Sequence, residues 1–156
     1  MFGRRVPMIL QSEAPECGIA CVAMIASYYG FRTDLSAMRL RLAPSMKGVT
    51  LKHISAIADT MKLAARGVKV PLEGLGQLKL PAILHWDMNH FVVLTKASGD
   101  RITVNDPARG RRVLRIERPD RADDAFVWLP SLRRVRRTAM AQRGDKMLGM
   151  EVTLED

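Results

Sequence analysis

The sequence predicts an α+β fold, with helices first and a mostly antiparallel sheet after them. Two observations carry this. Residues 17–29 are rich in Ala, Met and Ile, with no breaker between Gly18 and Gly30. Later, strand-like apolar stretches at 63–70, 81–86, 90–96 and 101–105 are separated by Pro, Gly, Ser and Asp. A third observation sets the scale: 156 residues, 47% of them hydrophobic, suit one domain that buries its own core.

Residues 12–16 hold Pro15 and read as a loop, and the helix that follows is stopped by Gly30. It is apolar nearly all round, which predicts a buried central position. Thr33 or Asp34 caps a second helix that runs to about Leu42 before Pro44. Thr50 caps a third, with Ile54, Ile57, Ala58 and Met61 on one face. Pro71 closes the first strand, and 72–78 is a short helical or loop element. Ser98-Gly99-Asp100 has turn chemistry, and 111–116 is one more strand candidate. Residues 126–141, with Trp128, Pro130 and four arginines, take no assignment, and 148–154 again reads as a strand.

The net charge of +9 admits nucleic acid, an anionic membrane face or an acidic protein as partner. Nucleic acid is not expected, because no binding motif is present and only 5% of residues are aromatic. The two cysteines, Cys17 and Cys21, are poorly placed to bridge each other on a helix, which fits reduced thiols in a cytosolic setting. The first ten residues hold too short an apolar stretch for a signal peptide, and the longest apolar run, 19–26, falls far short of a membrane span. No phosphate loop is present, and no cofactor is expected. A zinc site from Cys17, Cys21, His85 and His90 is disfavoured, since CxxxC and HxxxxH are not the usual structural spacings. His85 reads as a structural strand residue and His53 as solvent-exposed.

A thiol is nucleophilic as thiolate, and a helix N-terminus favours negative charge. Cys17 sits at a loop-to-helix junction before Gly18, while Cys21 lies one turn inside, where a cysteine is usually a small hydrophobe. His90 opens one apolar strand and Asp106 ends the next. With a three-residue loop centred on Gly99, Val92 faces Asp106, and His90 and Asp106 share a face. With a two-residue loop they lie on opposite faces. Gln11, across the loop from Cys17, is placed to donate to an oxyanion together with the Cys17 N–H.

The run Gln11-Ser12-Glu13-Ala14-Pro15-Glu16-Cys17-Gly18-Ile19-Ala20-Cys21 closely resembles the N-terminal motif of the double-glycine leader peptidases, the cysteine peptidase domains of bacteriocin-exporting ABC transporters, and most nearly the colicin V exporter branch. The likeness continues in Arg39-Leu40-Arg41, Lys47-Gly48-Val49-Thr50-Leu51, Pro81-Ala82-Ile83-Leu84-His85-Trp86-Asp87, His90-Phe91-Val92-Val93-Leu94 and Asp106-Pro107-Ala108-Arg109-Gly110. It implies a papain-like fold, with Cys17 as nucleophile, His90 as base, Asp106 as the group that orients the base and Gln11 as oxyanion donor. It also implies the substrate, a precursor whose leader ends in Gly-Gly and is cut after that pair. Implied too are an ABC-transporter membrane domain as partner, in cis or in trans, and a place at the cytosolic face of the bacterial inner membrane.

The family pattern closes soon after the aspartate strand. Here an arginine-rich stretch separates that region from 148–154. The expectation is therefore a single peptidase domain over 1–156 with an atypical, solvated Arg-rich insertion at about 126–146. The function expected is a cysteine endopeptidase for Gly-Gly leaders. The alternative is a leader-binding module of the same fold that does not cut, against which stands the presence of Cys17.

Overall fold

The structure, a computed structural model, describes residues 4–41, 50–86, 90–116 and 124–132. A single 3-10 turn, Ala14–Glu16, leads into α1 (Cys17–Tyr28). Then come α2 (Leu35–Arg41), α3 (Leu51–Thr60) and β1 (Leu63–Pro71). A 3-10 segment, Leu72–Gln77, precedes β2 (Ala82–Trp86), β3 (His90–Ser98), β4 (Arg101–Asp106), β5 (Gly110–Arg115) and β6 (Asp124–Leu132).

The helices begin and end where local chemistry says they should. Asp34 Oδ1 accepts the Ala37 N–H at 2.8 Å, so Asp34 is the cap of α2. Thr50 caps α3: its hydroxyl accepts the His53 N–H at 3.2 Å, and His53 Nδ1 accepts the Thr50 N–H at 3.3 Å. His53 is exposed and spends its ring on this cap. Gly30, at φ +99°, adopts the left-handed backbone that ends α1. Residues 17–26 are all buried, which makes α1 the central helix expected.

All strand pairs are antiparallel, in the order β1-β6-β2-β3-β4-β5. One face of the sheet packs on the helices through Ile83, Phe91, Val93 and Trp128. The other buries Leu84, Val92, Leu94, Val104 and Val127 together with Leu75 of the 3-10 segment. Burial on both faces explains why these strands read as apolar runs rather than alternations.

β6 corrects the expected insertion. Residues 126–132 are not a solvated excursion but part of a strand between β1 and β2, with Val68 opposite Val127 and Gly67 opposite Trp128. Val127 is fully buried and Trp128 is 1% exposed. The Trp128 indole N–H donates to Ser55 Oγ of α3 at 2.9 Å. The rest of that stretch lies outside the described residues, as do 148–154, Lys47-Gly48-Val49 and Asp87.

Candidate active site

Asp106 ends β4 and His90 opens β3, and His90 Nε2 donates to Asp106 Oδ1 at 2.8 Å. The loop between the strands has two residues, since Ser98 pairs with Arg101. A two-residue loop alone would have turned the two side chains to opposite faces. A β-bulge between Leu94 and Lys96 adds one residue to β3, and from there Leu94 pairs with Val104 and Val93 with Asn105. The bulge restores the register that a three-residue loop would have given. Thr95, the extra residue, donates its hydroxyl to Thr103 O at 3.1 Å.

Asp106 is 6% exposed. Burial alone pushes its carboxyl up, but the His90 hydrogen bond, the Ala108 N–H and the charges of His90 and Arg112 more than offset this. Its pKa is held below the usual carboxylate value. The Ala108 N–H donates to Oδ1 at 2.9 Å, and Arg112 Nη1 stands 3.8 Å from Oδ2. An ionised carboxylate fixed in this way selects the His90 tautomer with its proton on Nε2 and leaves Nδ1 as an acceptor.

Cys17 is the first residue of α1, as expected, but it is 8% exposed. Burial pushes its thiol above the ordinary value, and the nearby Asp106 charge adds to this. Backbone N–H groups of Phe91, Gly18 and Cys17 itself pull it down only in part. Desolvation thus outweighs the helix start, which alone would favour the thiolate. Cys17 and Phe91, the residue after His90, belong to one buried cluster, which brings the nucleophile candidate to the start of β3. Cys21 is fully buried and its thiol is raised well above normal by desolvation first of all.

Gln11 also lies in this region. Its backbone N–H donates to Pro107 O at 2.9 Å, next to Asp106. Its side-chain Nε2 donates to Glu13 O at 3.1 Å and Ala14 O at 3.2 Å, while Oε1 is buried without a partner. The structure thus brings the Gln11 backbone to the end of the hairpin, with the side-chain amide occupied by the loop. His85 stacks on Phe91 at 4.5 Å between ring centroids, which fits a structural strand residue.

Sequence reasoning missed two groups. Asn105, fully buried, donates to Val6 O at 3.4 Å and Pro7 O at 3.3 Å and straps the segment that leads to Gln11 onto β4. Glu16 reads as part of an acidic loop, yet it is 5% exposed and ion-paired to Arg39. A carboxylate directly before a buried helix was the available signal.

A family model described as the peptidase C39 family matches residues 5–121. The chain belongs to the peptidase C39 family. A second model, that of an uncharacterized protein, matches residues 100–156. Over 118 residues, 76% of this C39 chain, it is 45% identical to the probable microcin-H47 secretion/processing ATP-binding protein of Escherichia coli. Over the same length it is 44% identical to the colicin V secretion/processing ATP-binding protein of Escherichia coli. The chain spans 17% of the length of each of these relatives. Among solved structures, a double glycine motif protease from an AMS/PCAT transporter, in complex with the leader peptide, superposes with a TM-score of 0.72 at 35% identity. That match covers 82% of this chain and 93% of the other. The papain-like α+β arrangement, helices packed on an antiparallel sheet, is thus the fold of this C39 chain. Among the described residues, no helix is long and apolar enough to cross a membrane.

Proposed function

We propose that the chain is a cysteine endopeptidase that removes the leader of a bacteriocin- or microcin-type precursor by cutting after a Gly-Gly pair. The observation that carries this is the meeting of His90 and Asp106 at 2.8 Å, with Cys17 in the same buried cluster as Phe91, the residue after His90. The names of the secretion/processing relatives and the leader-bound neighbour support the same reading.

Cys17 starts as a neutral thiol. His90 Nδ1 takes its proton as Sγ attacks the carbonyl carbon of the second leader glycine. Asp106 holds the ring and stabilises its positive charge. The Cys17 N–H and the Gln11 amide donate to the oxyanion, which requires Gln11 Nε2 to leave one of its two loop carbonyls. The C–N bond then breaks, and His90 delivers the proton to the leaving amine. Water, deprotonated by His90, hydrolyses the thioester and releases the leader acid and the free thiol.

Partners under this reading are the precursor and an ABC-transporter membrane domain, in cis or in trans, with the domain at the cytosolic membrane face. The test is incubation with a synthetic Gly-Gly precursor, read by mass spectrometry. A single cut after Gly-Gly is expected, lost in Cys17→Ala and when the last leader glycine becomes valine. Normal processing of the valine substrate would refute the double-glycine reading. Binding of the leader with no cut by the wild type would favour the non-cleaving module.

A further inference from the structure

Among the described residues two carboxylates are buried, Asp106 and Glu16. Asp106 serves the mechanism above. Glu16, immediately before the proposed nucleophile, has no part in it, yet it is the more heavily bonded. Its Oε1 accepts the backbone N–H groups of Ser12 and Glu13, each at 3.0 Å. Arg39 of α2 grips it with two donors, Nε on Oε2 and Nη2 on Oε1, the latter at 3.0 Å. The Glu16 N–H returns a bond to Glu13 O at 3.0 Å.

These bonds close the stretch between Gln11 and Cys17 into a ring. Glu13 O and Ala14 O, the two carbonyls that hold the Gln11 amide, belong to the same ring. One end of the assembly is fixed to the turn after β4 through Pro107 O, and the other to α2 through Arg39. A carboxylate suits the task because it only accepts, with room for several donors on two oxygens. Glutamine there would set an N–H against an N–H.

We infer that Glu16 and Arg39 are positioning residues for the oxyanion site, holding the Gln11 side chain and the Cys17 N–H at a fixed separation. The inference rests on the proposed peptidase reading and adds two residues to it. The pair touches no reacting atom. It acts through Gln11, and that dependence separates it from a staple that only stabilises the fold.

The test is a double-mutant cycle on cleavage of a Gly-Gly precursor, with kcat and KM for the wild type, Glu16→Gln, Gln11→Ala and the double variant. Glu16→Gln is expected to lower kcat by about tenfold or more with little change in KM, the scale of a displaced rather than deleted donor. In the Gln11→Ala background the same change should cost less than about threefold, because residues acting as one unit are not additive. Circular dichroism checks the fold. Should Glu16→Gln fail to fold, Arg39→Gln takes its place in the cycle, since it leaves the carboxylate on its two loop N–H groups. Wild-type kcat in the folded variant, or an equal loss in both backgrounds, would overturn the positioning role while leaving the peptidase reading intact. A wild type that does not cut overturns the peptidase reading and the positioning role with it.

Discussion

His90 reaches Asp106 because β3 carries one residue too many. Thr95 is the extra residue: without it, the two-residue turn at Gly99-Asp100 would leave ring and carboxylate on opposite faces of the sheet. Deleting Thr95 should therefore abolish cleavage even in molecules that keep their secondary structure, measured as kcat/KM beside circular dichroism.

Asp106→Asn should leave a folded protein whose kcat is lower by about a hundredfold or more, since the amide neither fixes the productive tautomer nor offsets the ring's charge. The measurement is kcat at saturating precursor. Full activity in this variant would remove Asp106 from the mechanism.

The two thiols should respond to pH in order. Burial and the Asp106 charge raise Cys17, so its alkylation by iodoacetamide should climb with pH through a midpoint above that of an ordinary thiol. Cys21 should stay unlabelled until the chain unfolds, because it is wholly buried. Mass-resolved labelling of the native protein across pH checks both. A rapid, pH-independent reaction of Cys17 near neutrality would mean a resting thiolate.

Acid should act through Glu16. The Arg39 hydrogen bonds are the largest influence on its carboxyl and, against burial, bring it from 4.5 down to about 2. A depressed folded value stabilises the protein above the unfolded value. This contribution is therefore fully present above about pH 4.5 and is lost as pH falls towards 2. Glu16→Gln should flatten the decline in stability across that window, as followed by urea unfolding at a series of pH values.

Much of the site was legible because it is local. A proline loop before Cys17, the caps Asp34 and Thr50, and the strand that opens at His90 are each specified within a few residues. The bulge was not legible, because Thr95 is an ordinary strand residue and only the pairing with β4 reveals that it is surplus. Glu16 and Arg39 lie 23 residues apart and look like solvated charges until α2 docks. β6 was missed for a similar reason. Its partners in β1 lie some sixty residues earlier, and the arginines that follow Leu132 suggested a wet surface.

Trp128 measures how much the missed strand matters. Trp128→Ala should cost about 3–5 kcal/mol of stability, the usual range for truncating a buried aromatic. Ser55→Ala, which removes only the acceptor of its indole N–H, should cost about 1 kcal/mol. Both are read from chemical denaturation. An unaffected midpoint in Trp128→Ala would contradict the central position of β6.

That position also orders events during synthesis. The β3–β4 hairpin with His90 and Asp106 can pair as soon as its own residues emerge, because its contacts are near in sequence. The seam between β1 and β2 stays open until residues 124–132 arrive. Contacts so distant along the chain form late and slowly. A nascent chain therefore carries the His90–Asp106 hairpin before the sheet beneath it is whole, and the wait exposes two unpaired strand edges to any chaperone or neighbouring chain within reach.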